Sequence, residues 1–116
     1  MNYVVATLLW HSSEEIAFDM TIRLLNEYHL KEVHMSQLVG FTLHCQVLDR
    51  LISQHLPSLA EHFVTCQVHV AEFTPSWILC LFTQTIPIEE ISLFFDHFWR
   101  DEWLAVYRLI LLILKE

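Results

Sequence analysis

Glycine is nearly missing from this chain: Gly40 is the single one in 116 residues. A phosphate-cradling loop and a dinucleotide fingerprint each need several glycines, so both are excluded. Positive charge is scarce as well. Six Lys and Arg stand against fourteen Asp and Glu, a formal charge of −8, and the arginines (Arg23, Arg50, Arg100, Arg108) are scattered along the chain. Without a basic stripe to neutralise phosphates, nucleic acid and anionic membrane surfaces are poor partners. A long apolar run is lacking too. A transmembrane helix needs about 20 largely apolar residues, whereas the stretch Trp103 to Leu114 is broken by Arg108 and closed by Lys115. The opening MNYVVATLLWHSSEE has no basic region and no small-residue cleavage site, which excludes a secretory signal. The cysteines are few, odd in number and far apart: Cys45, Cys66 and Cys80, each inside an apolar run. They are expected to be buried free thiols of a reducing, cytoplasmic compartment and not a disulfide framework.

Apolar bulk is abundant. Hydrophobic residues make up 54% of the chain, with eight Phe, four Trp and three Tyr, and the mean hydropathy is +0.41. Disorder is excluded by that content, which exceeds the usual share of a free-standing domain, about 45–50% even with glycine counted. Apolar positions recur every three and four residues almost throughout, the mark of helices. The pattern predicts an all-α, irregular array of about seven helices in one unit. The first spans roughly Asn2 to His11. Ser12-Ser13 ahead of Glu14-Glu15 caps a second, running to about Tyr28 with Ile16, Phe18, Met20 and Leu24 on its buried side. A polar connection covers His29 to Met35, and Ser36 caps a third helix to about His55 carrying Leu38, Phe41, Cys45, Leu48 and Ile52. Pro57 starts a fourth, to about Val70. Thr74-Pro75 leads a fifth, from Ser76 to about Gln84. Ile86-Pro87 opens a sixth, to about Arg100, with Glu89 and Glu90 in its first turn. Asp101-Glu102 open a seventh that reaches the C-terminus.

Several clusters invite a chemical reading. His62, Cys66 and His69 fall at i, i+4 and i+7 on one helix face, with His55 available as a fourth ligand. Zinc needs three or four such ligands converging, and closed sites use tighter pairs; a helix histidine beside a core thiol and a surface histidine accounts for the pattern. Cys80, between Leu79 and Leu81, is placed where burial makes a thiol inert. Glu89-Glu90 and Asp101-Glu102 stand at helix starts, where capping and the macrodipole explain them. No catalytic residue, metal or cofactor is expected. Phe94, Phe95, Phe98, Trp99 and Trp103 put five large rings into ten residues, too many for one side of a helix. Phe94, Phe98, Trp99 and Trp103 are therefore a candidate partner surface.

The order of motifs is more specific than any one of them. Met1-Asn2-Tyr3 precedes an apolar helix, and Ser13-Glu14-Glu15-Ile16-Ala17-Phe18 runs on to Leu24-Leu25 and Tyr28. Then come Leu56-Pro57-Ser58-Leu59-Ala60-Glu61-His62-Phe63, the segment Phe73 to Phe82 with Trp77 at its centre, Ile86-Pro87, Phe95-Asp96, and Tyr107-Arg108 before a Leu/Ile run. Together these resemble the C-terminal half of a TBC domain, the all-helical module of Rab GTPase-activating proteins, over residues 1–116. The resemblance assigns family structural positions to Asn2, Phe18, Pro57, Leu59, His62, Trp77, Phe82, Pro87 and Asp96, with Asp96 bonding a helix end, Arg100 or Arg108. It departs at Arg100-Asp101-Glu102, where the family has a Glu-Gly turn.

Both catalytic motifs of that family, Ile-x-x-Asp-x-x-Arg with its arginine finger and Tyr-x-Gln with its glutamine finger, would fall before Met1, and neither occurs in the chain. The resemblance thus implies a partial TBC domain with Met1 internal to a parent protein. It would stimulate GTP hydrolysis by a Rab-type GTPase only together with an N-terminal half. The second expectation is a catalytically inactive TBC-like adaptor subunit of a larger assembly, and the third a helical interaction module unrelated to the family. On the half-domain reading the apolar surplus is a cut face, so something covers the first helix and the 116 residues alone are poorly soluble.

Overall fold

The computed structural model describes residues 2–35 and 38–115, and among these the secondary structure is helical, with no strand. α1 (Asn2–His11) buries Val4, Thr7 and Leu8, one i, i+3, i+4 stripe, and Thr7 Oγ1 donates to the Tyr3 carbonyl at 2.8 Å. α2 (Glu14–Asn26) starts where the sequence predicts: the Ser13 side chain accepts from the Ile16 amide at 3.3 Å, and Glu14 and Glu15 occupy the first turn. Its buried stripe differs from the expected one. Ala17 and Leu24 are inside, while Ile16 and Phe18 are exposed, Phe18 by 69%. α2 is apolar on two sides, and packing against α1 selects the side with the small Ala17, which lets the two helices approach.

The expected polar connection contains a short helix, α3 (Leu30–Val33), with Leu30 and Val33 fully buried. α4 (Val39–His55) follows, its core stripe Gly40, Phe41, Cys45, Leu48 and Ile52; Leu38, expected on that stripe, is an exposed residue ahead of it with φ 49°. Ser36, the expected cap, lies outside the described residues. Gly40 sits against α3: a Cβ there would stand 2.6 Å from the Glu32 carbonyl carbon and oxygen and 2.8 Å from the Val33 nitrogen.

The second half is more finely divided than the periodicity predicts. α5 (Pro57–Cys66) has Pro57 in its first turn and stops at Gln67, whose φ of 57° admits the Val68 amide to the Phe63 carbonyl at 2.9 Å. α6 (Val70–Phe73) and α7 (Pro75–Ile78) are single turns joined at buried Thr74. The helix expected to Gln84 gives way after Ile78 because Leu81 and Phe82 take φ of 48° and 62°, which turns both side chains fully inside. α8 (Ile91–Asp101) begins after Pro87 and the two glutamates, which form a turn, and Asp101 ends it where a new helix start was expected. Glu102, φ 55°, joins it to α9 (Trp103–Lys115). The described residues therefore form nine helices, not seven.

Neighbours in sequence pack in pairs: α1 on α2, α2 on α3, α3 on α4, α4 on α5 and α6, and α8 on α9. The molecule measures 48 × 30 × 21 Å with a radius of gyration of 14.8 Å, against about 13 Å for a compact chain of this length. Its accessible surface is 7429 Å², where a compact monomer of this mass shows about 6600 Å².

Candidate interaction surface

A line of touching rings holds the layers together. It passes from Phe63 through Phe73, Trp77, Phe82 and Phe94 to Phe98, with neighbouring centroids 5.2–6.0 Å apart. At Phe98 it meets Tyr28, Trp99 and Trp103. Such offset and edge-to-face pairs each add about 0.5–1.5 kcal/mol beyond the area they bury. Two reciprocal hydrogen bonds lock Tyr28, in the link after α2, to the α8–α9 corner: Tyr28 Oη donates to the Trp99 carbonyl at 3.0 Å, and Trp103 Nε1 donates to the Tyr28 carbonyl at 2.7 Å.

Histidines tie distant segments, a role the sequence reading missed. His11 Nε2 donates to the Ile88 carbonyl at 2.6 Å, and His34 Nε2 to the Leu79 carbonyl at 2.8 Å; burial pulls the His34 pKa down. His44 stacks on Trp103 at 4.0 Å, and its Nδ1 shares a hydrogen bond with the Tyr107 hydroxyl at 2.5 Å. Burial lowers its pKa to about 4 and pushes the Tyr107 phenol up to about 12. The signal for His44 was present: it lies i+3 from Phe41 and four before Leu48, inside the core stripe of α4.

The predicted positions are now placed. Trp77 is half-buried and Phe82 fully buried, both within the ring line. Asn2, Pro57, His62, Pro87 and Asp96 are exposed, and Leu59 is half-buried. The expected ion pair falls to Asp101, which lies 3.4 Å from Arg100 and 3.3 Å from Arg108. Phe94, Phe98 and Trp103, expected to face a partner, are 7%, 0% and 9% exposed. α9, Tyr28 in the link after α2, and the turn at Phe82 supply the second layer those rings need, and Trp99 is half-buried beside them. Of the cysteines, Cys45 is buried, its thiol pKa raised by burial, with Thr74 Oγ1 at 3.8 Å. Cys80 is half-buried, and Cys66 is exposed, 3.6 Å from His62 Nε2, because α5 has no layer outside it. No three His, Cys, Asp or Glu side chains converge on a metal position among the described residues. Nor is any described helix long and apolar enough to cross a membrane.

The large apolar side chains on the outside, Val64 on α5 and Leu104 on α9 among them, include three neighbouring sets: Leu9 and Trp10 on α1, Phe18 and Ile22 on α2, and Val39, Leu43 and Val47 at i, i+4, i+8 on α4. A fourth is a groove of about 500 Å³ along the α8–α9 seam, walled by Leu93, Phe94, Leu109 and Leu112 and ended by the Arg100–Asp101–Arg108 cluster. None of these surfaces gathers a nucleophile, a base and an oxyanion donor. The fold is an all-helical array that leaves several apolar faces exposed among the described residues.

The comparisons make that class specific. The family model of the Rab-GTPase-TBC domain matches residues 1–116, and the chain belongs to that family. It is 29% identical over 113 residues to the human "Ecotropic viral integration site 5 protein homolog", covering 97% of this chain and 14% of that protein. To "GTPase activating protein Gyp51" of Schizosaccharomyces pombe it is 28% identical over 96 residues, 83% of this chain and 9% of that protein. To "Rab GTPase-activating protein eat-17" of Caenorhabditis elegans it is 26% identical over 114 residues, 98% of this chain and 13% of that protein. The chain thus spans about a seventh or less of these relatives' lengths.

Proposed function

We propose that this chain forms the C-terminal part of a TBC domain that activates a Rab-type GTPase, and that the arginine and glutamine fingers come from sequence outside these 116 residues. The carrying observation is the family match along the whole chain in a sequence holding neither Ile-x-x-Asp-x-x-Arg nor Tyr-x-Gln. GTP hydrolysis on such switches is slow because charge building on the phosphoryl oxygens is poorly neutralised, and an arginine supplied in trans accelerates it about 10³–10⁵-fold. A chain without either finger offers scaffold and docking surface in the cytoplasm, not the chemistry. Asn2, Pro57, Leu59, His62, Trp77, Phe82, Pro87 and Asp96 serve that scaffold; Phe18, exposed here, serves a contact.

The test is single-turnover GTP hydrolysis across a Rab panel, with the chain alone and joined to a finger-bearing TBC segment. No acceleration alone and about 10³-fold or more when joined is expected; acceleration by the chain alone overturns the proposal. The second reading, a TBC-like adaptor without catalytic function, is favoured by the apolar outer faces of α1, α2 and α4. It predicts binding to other subunits and no acceleration from the parent protein.

A further inference from the structure

The α8–α9 groove and the outer face of α2 are complementary in polarity, length and charge. Along α8 the groove runs from Arg100 back to Glu90, ten residues or about 15 Å of helix. Its middle is aliphatic and aromatic, with Leu93 and Leu112 exposed by 68% and 62%. One end is cationic: Arg100 and Arg108 share the single carboxylate of Asp101, and this pair is a third of all the Lys and Arg in a chain of net charge −8. The other end carries Glu90.

The outer face of α2 is acidic at its N-terminal end and apolar toward its C-terminal end. Glu15, Phe18 and Ile22 stand at i, i+3 and i+7, with Glu14 beside the acidic end; the stretch Glu14 to Ile22 is about 12 Å long. Phe18 has no buried contact of its own to account for a ring that is 69% exposed. Laid antiparallel to α8's own run from Glu90 to Arg100, α2's acids meet Arg100 and Arg108. Phe18 and Ile22 then lie along the aliphatic middle of the groove, toward Leu93 and Leu112.

We propose that α2 of one copy of this chain docks in the α8–α9 groove of a second copy. The two surfaces are different, so the contact is head-to-tail, and it propagates unless the rotation closes a ring. A lipid surface fits worse, since an acidic chain with two paired arginines has little to hold an anionic headgroup. The association is independent of any GTPase.

The experiment is sedimentation velocity of the full chain over a wide concentration range, with Phe18→Asp and Leu93→Asp, both at exposed positions, checked for unchanged far-ultraviolet circular dichroism. Wild type is expected to grow with concentration and to shrink back as salt is raised. Each variant is expected to raise the midpoint concentration at least tenfold. Mixed one to one, the two variants retain one intact surface each and are expected to form a heterodimer that grows no further. A wild type that stays monomeric, a mixture that stays monomeric, or association untouched by Phe18→Asp overturns the proposal. So does sedimentation with anionic vesicles that both variants abolish while the protein alone remains a monomer.

Discussion

α8 and α5 are of similar length and both rich in apolar residues, yet α8 buries Ile91, Phe94, Phe95 and Phe98 while α5 buries none, and its Val64 is 79% exposed. Composition does not separate them; neighbours do. α8 has α9 along one side, Tyr28 on another and the Leu81–Phe82 turn beneath. α5 has α4 and the edge of Phe73. An apolar helix in a thin array is therefore core or surface according to whether a second layer exists.

Mutation can sharpen this contrast. The largest effect is expected from Phe98→Ala, which empties the junction of four rings: about 3–5 kcal/mol lost in urea titration. A loss below 1 kcal/mol would show that the corner tolerates a cavity and erase the distinction from α5. The next test is acid. The folded His44 pKa lies near 4, below its ordinary 6.5, so the unfolded chain binds the extra proton. Stability contributed by neutral His44 is full above about pH 6.5 and lost as pH falls toward 4, with α9 amides exchanging first; His44→Gln should flatten that slope. Smaller, and of opposite sign, is Gln67→Gly at the left-handed end of α5, expected to stabilise by about 1 kcal/mol in thermal unfolding through relief of strain. The smallest is Val64→Ser, expected within about 0.5 kcal/mol of wild type; a larger loss would mean that α5 is covered after all.

The helix class, the bounds of α1, the Ser13 cap and the Pro57 start were legible because each has a local chemical signature. The breaks at Gln67 and at Leu81-Phe82 were not, because residues other than glycine occupy left-handed turns there and leave no punctuation in the sequence. Phe18 was assigned to the wrong side for a related reason: α2 is apolar on two faces, and periodicity cannot choose between them. The family was legible in the order of Pro57, Trp77, Pro87 and Asp96. The clamp of Tyr28 and Trp103 and the histidine ties join residues 45 to 77 positions apart, a separation at which helical periodicity carries no signal.

Gly40 has a mechanical consequence. At this crossing α4 rests on the backbone of Glu32 and Val33 with no side chain between, so the spacing of α3 and α4 is set by main-chain atoms alone. Leu30 and Val33, at the two ends of α3, are both fully buried. One added methyl at position 40 therefore acts as a wedge. It lifts a four-residue helix bodily and draws two core side chains out with it, a lever whose load is far larger than the atom that moves it.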